Sequence, residues 1–160
     1  MRGAAITVST SKAAGEGADA SGPLLAEIVR KLGGELAGSE VVADDRAAIA
    51  ACLRRWCDDE RCDLVLTSGG TGMSPTDVTP EATLDVLERQ APGLAEAMRL
   101  ASRPHTPHWM LSRAVAGTRG RTLVINLPGH PRALSEVTDA LLPALGHALE
   151  LLSGSHGSHD

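Results

Sequence analysis

Between Ser68 and Thr79 the chain runs Gly-Gly-Thr-Gly-Met-Ser-Pro-Thr-Asp-Val, a composition suited to handling an anion. Gly69, Gly70 and Gly72 let the backbone approach a phosphate closely, and Thr71 adds a hydroxyl. The helix expected to follow contributes the positive end of its dipole. Two familiar phosphate loops are excluded. A Walker A loop requires Gly-Lys-Ser/Thr, and Met73 stands where the Lys would be; the dinucleotide fingerprint requires a third glycine where Pro75 stands. Asp77 narrows the chemistry, because a carboxylate on an anion-binding loop repels the anion unless a divalent cation lies between them. Asp44, at the end of another expected strand, offers a second oxygen donor. Mg²⁺ characteristically takes one or two carboxylates together with substrate phosphate oxygens. Both aspartates also suit the plainer role of helix N-cap, and spacing does not choose between the two roles.

Such a loop needs a rigid support, and the chain alternates strand and helix signals around it. Ala4–Ser9 is a short apolar, β-branched run. Ser21 then caps a helix with Pro23 in its first turn and Leu24, Leu25, Ile28, Val29 and Leu32 at helical spacing, ended by Gly33-Gly34. Ser39–Ala43 reads as a second strand. Asp44 or Asp45 caps a helix carrying Ile49, Leu53 and Trp56 on one stripe, and Cys62–Ser68 is a strand buried on both faces. Thr79-Pro80-Glu81 starts a helix, and Ala91–Ser102 forms another. Arg121–Gly129 is a last buried strand, and His130–Leu152 a closing helix that Pro143 should kink. This alternation predicts an α/β fold, three layers α/β/α around a mostly parallel sheet. Ligands of open α/β sheets bind off the carboxyl ends of the strands, where the loops after Ser9, Ser68 and Leu127 lie.

The chain has 160 residues, so one domain over 1–154 is expected, with a polar, frayed tail at 155–160. It is 42% hydrophobic and 22% charged, which excludes disorder as its main state. Only 1% is aromatic, with no Phe or Tyr, and the net charge is −5. Stacking platforms and a basic face are both missing, so nucleic acid is not an expected partner. No apolar run reaches the ~20 residues that span a bilayer, and the polar start suggests no signal peptide. A cytoplasmic protein is expected, with Cys52, Cys57 and Cys62 as free thiols of structural or neutral character, since their spacing matches no common zinc pattern. His105, His108, His156 and His159 read as loop and surface residues. His130 differs because it sits in a candidate binding loop.

Three stretches resemble one known family. LVLTSGGTGMSPTDVTPEAT (64–83) is similar to the first signature of the MogA/MoaB-like molybdopterin adenylyltransferases of molybdenum cofactor biosynthesis. MLSRAVAGTRGRTLVINLPGHPRAL (110–134) resembles their second motif and DALLPALGHALELLSG (139–154) their closing helix. The resemblance implies a protein that binds molybdopterin and MgATP, joins AMP to the molybdopterin phosphate and releases pyrophosphate. It implies Asp44 and Asp77 as catalytic, Mg²⁺-holding residues and Gly69, Gly70, Thr71 and Gly72 as the phosphate cradle. It further implies Asn126, Leu127, Pro128 and Gly129 as pocket lining, with Asp19, Ser21, Gly22 and Ser112 as secondary contacts and Arg113 either on phosphate or in an ion pair. A homotrimer that transiently meets the next enzyme of cofactor synthesis is also implied. The chain departs from the family pattern at three places. Thr10 stands where an Asp is common, Thr76 where an Arg precedes the loop Asp, and His130 where Ser, Asn or Gln is usual. A paralogue that binds molybdopterin without adenylating it, as carrier or regulatory module, is therefore the alternative.

Overall fold

A computed structural model describes residues 1–155. The expected tail falls almost wholly at 156–160, with His156 and His159, and so lies outside the described residues. The elements run β1 (Arg2–Val8), α1 (Thr10–Ala13), α2 (Ser21–Lys31), β2 (Glu35–Val42), α3 (Arg46–Arg54), β3 (Leu64–Ser68), α4 (Thr79–Leu84), β4 (Arg89–Gln90), α5 (Pro92–Ser102), β5 (Ala116–Arg119), β6 (Thr122–Leu127) and α6 (Pro131–Ser153). One six-stranded sheet is ordered β2-β1-β3-β6-β5-β4. Its first four strands pair in parallel, while β5 and β4 pair antiparallel at the far edge.

Strand periodicity divides the core between two faces. Ala5, Leu64, Leu66, Leu123, Ile125 and Leu127 point to the side covered by α2, α5 and α6. Ala4, Ile6, Val8, Val65 and Val124 point to the side where Ile49, Leu53 and Ala82 of α3 and α4 pack. The expected three-layer, mostly parallel architecture is the one observed.

Several local expectations change. β2 begins at Glu35, earlier than the β-branched run suggested, because edge pairing to β1 extends it through Gly38, where the Trp56 indole packs. A π turn (Arg55–Asp59) follows α3, and Trp56, still packed against the core with Ile49 and Leu53, donates its Nε1–H to Glu40 at 3.0 Å. The antiparallel pair β4–β5 has no apolar run to announce it. α6 runs from Pro131 to Ser153 as one helix with Pro143 inside it, and Leu134, Leu141 and Leu145 are buried on the same sheet face. Ser21 does not cap α2. That task falls to the Asp19 carboxylate, which accepts from the N–H groups of Ser21 (3.1 Å) and Gly22 (3.0 Å).

Candidate functional site

Thr7 of β1 pairs with Ser68 of β3, and Ser68 with Leu127 of β6, so three parallel strands end at one edge of the sheet. The loops that leave them are fastened together. Gly69 N–H donates to the Leu127 carbonyl (3.2 Å), Ser68 Oγ to the Pro128 carbonyl (2.9 Å), and Ser21 Oγ to the Gly129 carbonyl (3.2 Å). A Cβ on Gly129 would stand 3.1 Å from the Gly69 Cα, so the two loops meet backbone to backbone. Between them lies a cleft of about 170 Å³ lined by Ser9, Lys12, Ser21, Ser68, Gly69, Gly129 and Pro131. Pro131 opens the 23-residue helix α6, whose positive end therefore borders the cleft. This replaces the dipole expected from the helix after the glycine loop, since α4 has only 6 residues.

The glycine loop has the backbone its sequence suggested. Gly69 (φ 102°) and Gly70 (φ 67°) occupy the left-handed region. A side chain at Gly69 would strike the Val8 carbonyl, and one at Gly70 the Thr79 hydroxyl. Thr79 anchors this turn, its Oγ1 donating to the Gly69 carbonyl (2.9 Å) and its N–H to the Gly70 carbonyl (3.1 Å). Thr71 is buried behind it.

Neither aspartate is a helix cap. Asp45 caps α3 by accepting from the Ala48 N–H at 2.7 Å, and Asp44 turns to the end of β1. There Asp44 Oδ2 accepts from Thr10 N–H (3.0 Å) and Thr10 Oγ1 (2.9 Å). Asp44 Oδ1 is 3.1 Å from the place a Gly70 Cβ would occupy. Asp77 Oδ2 accepts from the Ser74 N–H (3.1 Å), a bond internal to the loop, and lies 2.9 Å from where a Gly72 Cβ would stand. The two carboxylates thus flank one loop at glycines two positions apart.

Arg113 takes the structural alternative. Its Nε donates to the Gly72 carbonyl and its second terminal nitrogen to the Asp77 carbonyl, each at 2.8 Å, while its own N–H reaches the Thr71 carbonyl. The guanidinium is paired with Glu81, and that bond holds the Glu81 carboxyl below its ordinary pKa. Arg113 is therefore the loop's clamp.

Other expected lining residues are elsewhere. Asn126 is fully buried. Its Nδ2 donates to the hydroxyls of Thr67 (3.0 Å) and Thr83 (2.9 Å), and its Oδ1 accepts from the Val115 N–H (3.2 Å), so the amide pins the sheet and offers a ligand nothing. Leu127 belongs to the core. Asp19 is engaged by Thr7 and the start of α2, and Ser112 Oγ accepts from the Ala114 N–H. Of that motif only Pro128 and Gly129 reach the surface. His130 is the N-cap of α6, its Nδ1 accepting from the Arg132 N–H at 3.2 Å. Lys12, which no motif singled out, lines the cleft; its one sequence signal is a basic residue in the first loop. Among the described residues no three His, Cys, Asp or Glu gather into a metal set.

This geometry defines an α/β protein with a cleft at the carboxyl edge of a mostly parallel sheet, bordered by Lys12 and the amino end of α6. A family model described as "Probable molybdopterin binding domain" matches residues 4–147, and the chain belongs to that family. It is 44% identical over 117 residues to a molybdopterin adenylyltransferase of Helicobacter pylori (strain J99), covering 73% of this chain and 66% of the relative. To the Escherichia coli (strain K12) enzyme of that name it is 40% identical over 111 residues, 69% of this chain and 57% of the relative. The chain therefore spans less than two thirds of the length of these curated relatives. Among solved structures, the molybdopterin biosynthesis enzyme MoaB from Thermus thermophilus superposes with a TM-score of 0.89 at 47% identity, covering 96% of both chains. The Mog protein of Mycobacterium ulcerans gives 0.87 at 42%, covering 94% of this chain and 97% of that one.

Proposed function

We propose that this protein is a molybdopterin adenylyltransferase, joining AMP from ATP to the terminal phosphate of molybdopterin with release of pyrophosphate. The observation that carries the reading is the placement of Asp44 and Asp77 against one glycine loop, beside a cleft holding Lys12 and the start of α6. The names of the Helicobacter pylori and Escherichia coli relatives support it. The nucleophile is already an anionic phosphate, so no nucleophilic side chain or base is needed. The chain's work is to bring two anions together and offset their charge.

The backbone of Gly69–Gly72 and the amino end of α6 cradle phosphate oxygens, and Lys12 supplies a cation to them. Ser21 and Gly129 shape the wall on which the pterin side rests. Asp44 and Asp77 fit Mg²⁺: two hard oxygen donors lie beside a loop where any Cβ would fill the space. When bound, Mg²⁺ would neutralise charge on the transferring phosphates. Arg113 holds Asp77 in register, and Thr79 holds the turn at Gly70.

The departures at Thr10 and Thr76 favour the second reading, a molybdopterin-binding carrier or regulatory module. Incubation with molybdopterin and MgATP decides between them. The enzyme yields an AMP-linked product and pyrophosphate; binding of molybdopterin with no pyrophosphate would establish the module instead. We also propose assembly as a homotrimer, supported by the exposure of Leu100 (58%), Met110 (62%) and Leu111 (46%) on and just after α5. Light scattering at micromolar concentration is expected to show three copies, and a monomer would refute this. No helix among the described residues is long and apolar enough to cross a membrane.

A further inference from the structure

We propose that Thr10 is a positioning residue that fixes the Asp44 carboxylate against the glycine loop; this rests on the assignment of Asp44 to the site made above. Three hydrogen bonds join the two residues. Thr10 N–H and Thr10 Oγ1 donate to Asp44 Oδ2 at 3.0 and 2.9 Å, and the Asp44 N–H donates to Thr10 Oγ1 at 3.0 Å. The pairing follows from strand register. Val8 of β1 is opposite Val42 of β2, and Thr10 and Asp44 each lie two residues beyond those ends.

The clamp matters because of what it leaves free. With Oδ2 held by two donors the carboxyl group cannot rotate without breaking both, and Oδ1 stays beside Gly70. The helix that follows does not need Asp44, since Asp45 caps it. A hydroxyl is suited to this place because it donates and accepts at once. An ionised acid could accept the Asp44 N–H but could not donate to Oδ2, and it would set a second negative charge against the first. The threonine that departs from the family pattern therefore orients the acid that remains.

The test compares Thr10→Val, Thr10→Ser and Asp44→Asn in the full chain. Thr10→Val keeps the shape and the backbone donor and removes the hydroxyl. It should lower kcat about tenfold, in line with the sensitivity of phosphoryl chemistry to misplacement, while KM for molybdopterin stays near the parent value. In the metal-free protein, exchange of the Asp44 amide proton, followed by NMR, should quicken because its acceptor is gone. Thr10→Ser should restore both properties. Thr10→Val added to Asp44→Asn should cost no more activity than Asp44→Asn alone, since Thr10 acts through that carboxylate. Full kcat in Thr10→Val beside an inactive Asp44→Asn would overturn the positioning role and leave the Asp44 assignment intact. Additive losses in the double variant would do the same by showing a merely structural role. Full activity in Asp44→Asn would overturn both readings. If Thr10→Val fails to fold, Thr10→Ala removes the same hydroxyl with less bulk and carries the same outcomes.

Discussion

Arg113 and Asp77 are 36 residues apart in sequence, yet the guanidinium of the first closes on the main-chain carbonyl of the second at 2.8 Å. The same guanidinium holds the Gly72 carbonyl and is braced by Glu81, so both ends of the segment carrying Asp77 are tied to one side chain. Arg113→Ala should therefore lower kcat/KM by about 10- to 100-fold through a loosened loop, with the bulk secondary structure intact. Arg113→Lys should recover little, because a single ammonium cannot reproduce the planar fork. Steady-state rates, with deuterium exchange over residues 71–77, give the measurement; normal exchange and normal rates in Arg113→Ala would remove the clamp.

Asp77→Asn retains an oxygen to accept from the Ser74 N–H, so its melting temperature should match the parent. Loss of the charge should nonetheless cut pyrophosphate release by about 100-fold, the scale of one good electrostatic stabiliser. Combined with Asp44→Asn, the loss should be smaller than the product of the two, as for groups acting on one ion. Wild-type turnover in Asp77→Asn would end its assignment to the site.

Lys12 lines the cleft without being part of the turn that shapes it. Lys12→Met should raise KM for ATP about tenfold, the worth of a charge-assisted hydrogen bond, and Lys12→Arg should restore most of the affinity. An unchanged KM in Lys12→Met would place the phosphates away from this end of the cleft.

Burial pushes the Cys52 thiol up to about 12 and the Cys57 thiol up to about 11, from an ordinary value of 9.0. In each case the folded protein keeps a proton that the unfolded chain releases as pH rises past 9.0. The unfolded state therefore binds fewer protons in this window, and stability falls with rising pH between 9.0 and about 11. Cys52→Ala should flatten this decline in urea titrations run from about pH 8 to about pH 10.5, a span that brackets the ordinary thiol pKa. The native thiols should also resist alkylation at about pH 8 and react fully in denaturant; rapid native labelling would contradict their burial.

The glycine loop was legible because its requirements are local. Positive φ at Gly69 and Gly70 and a carboxylate a few residues on are properties of neighbouring residues, and so are the apolar strand runs that fix the sheet. Those same local rules could not tell Asp44 from Asp45 as a helix cap. Side-chain direction decided it: Asp45 turned to the Ala48 amide and Asp44 to Thr10, 34 residues away.

The second motif shows the opposite case. Asn126, in a turn-like run ending in Pro and Gly, looked like pocket lining, but strand alternation carries its amide into the interior among Thr67, Thr83 and Val115. Lys12 carried only the weak signal of a basic residue in the first loop, and the clamping role of Arg113 carried none, since a basic residue in a loop is compatible with any surface. The sequence alone determined the main strands and helices, their α/β order and the glycine-rich turn after β3, because backbone conformation and hydrophobic periodicity are set within a few residues; the short α1, β4 and β5 carried no such periodicity. The tertiary structure alone decided which side chains meet at that loop, because the strand order β2-β1-β3-β6 brings together residues separated by dozens of positions.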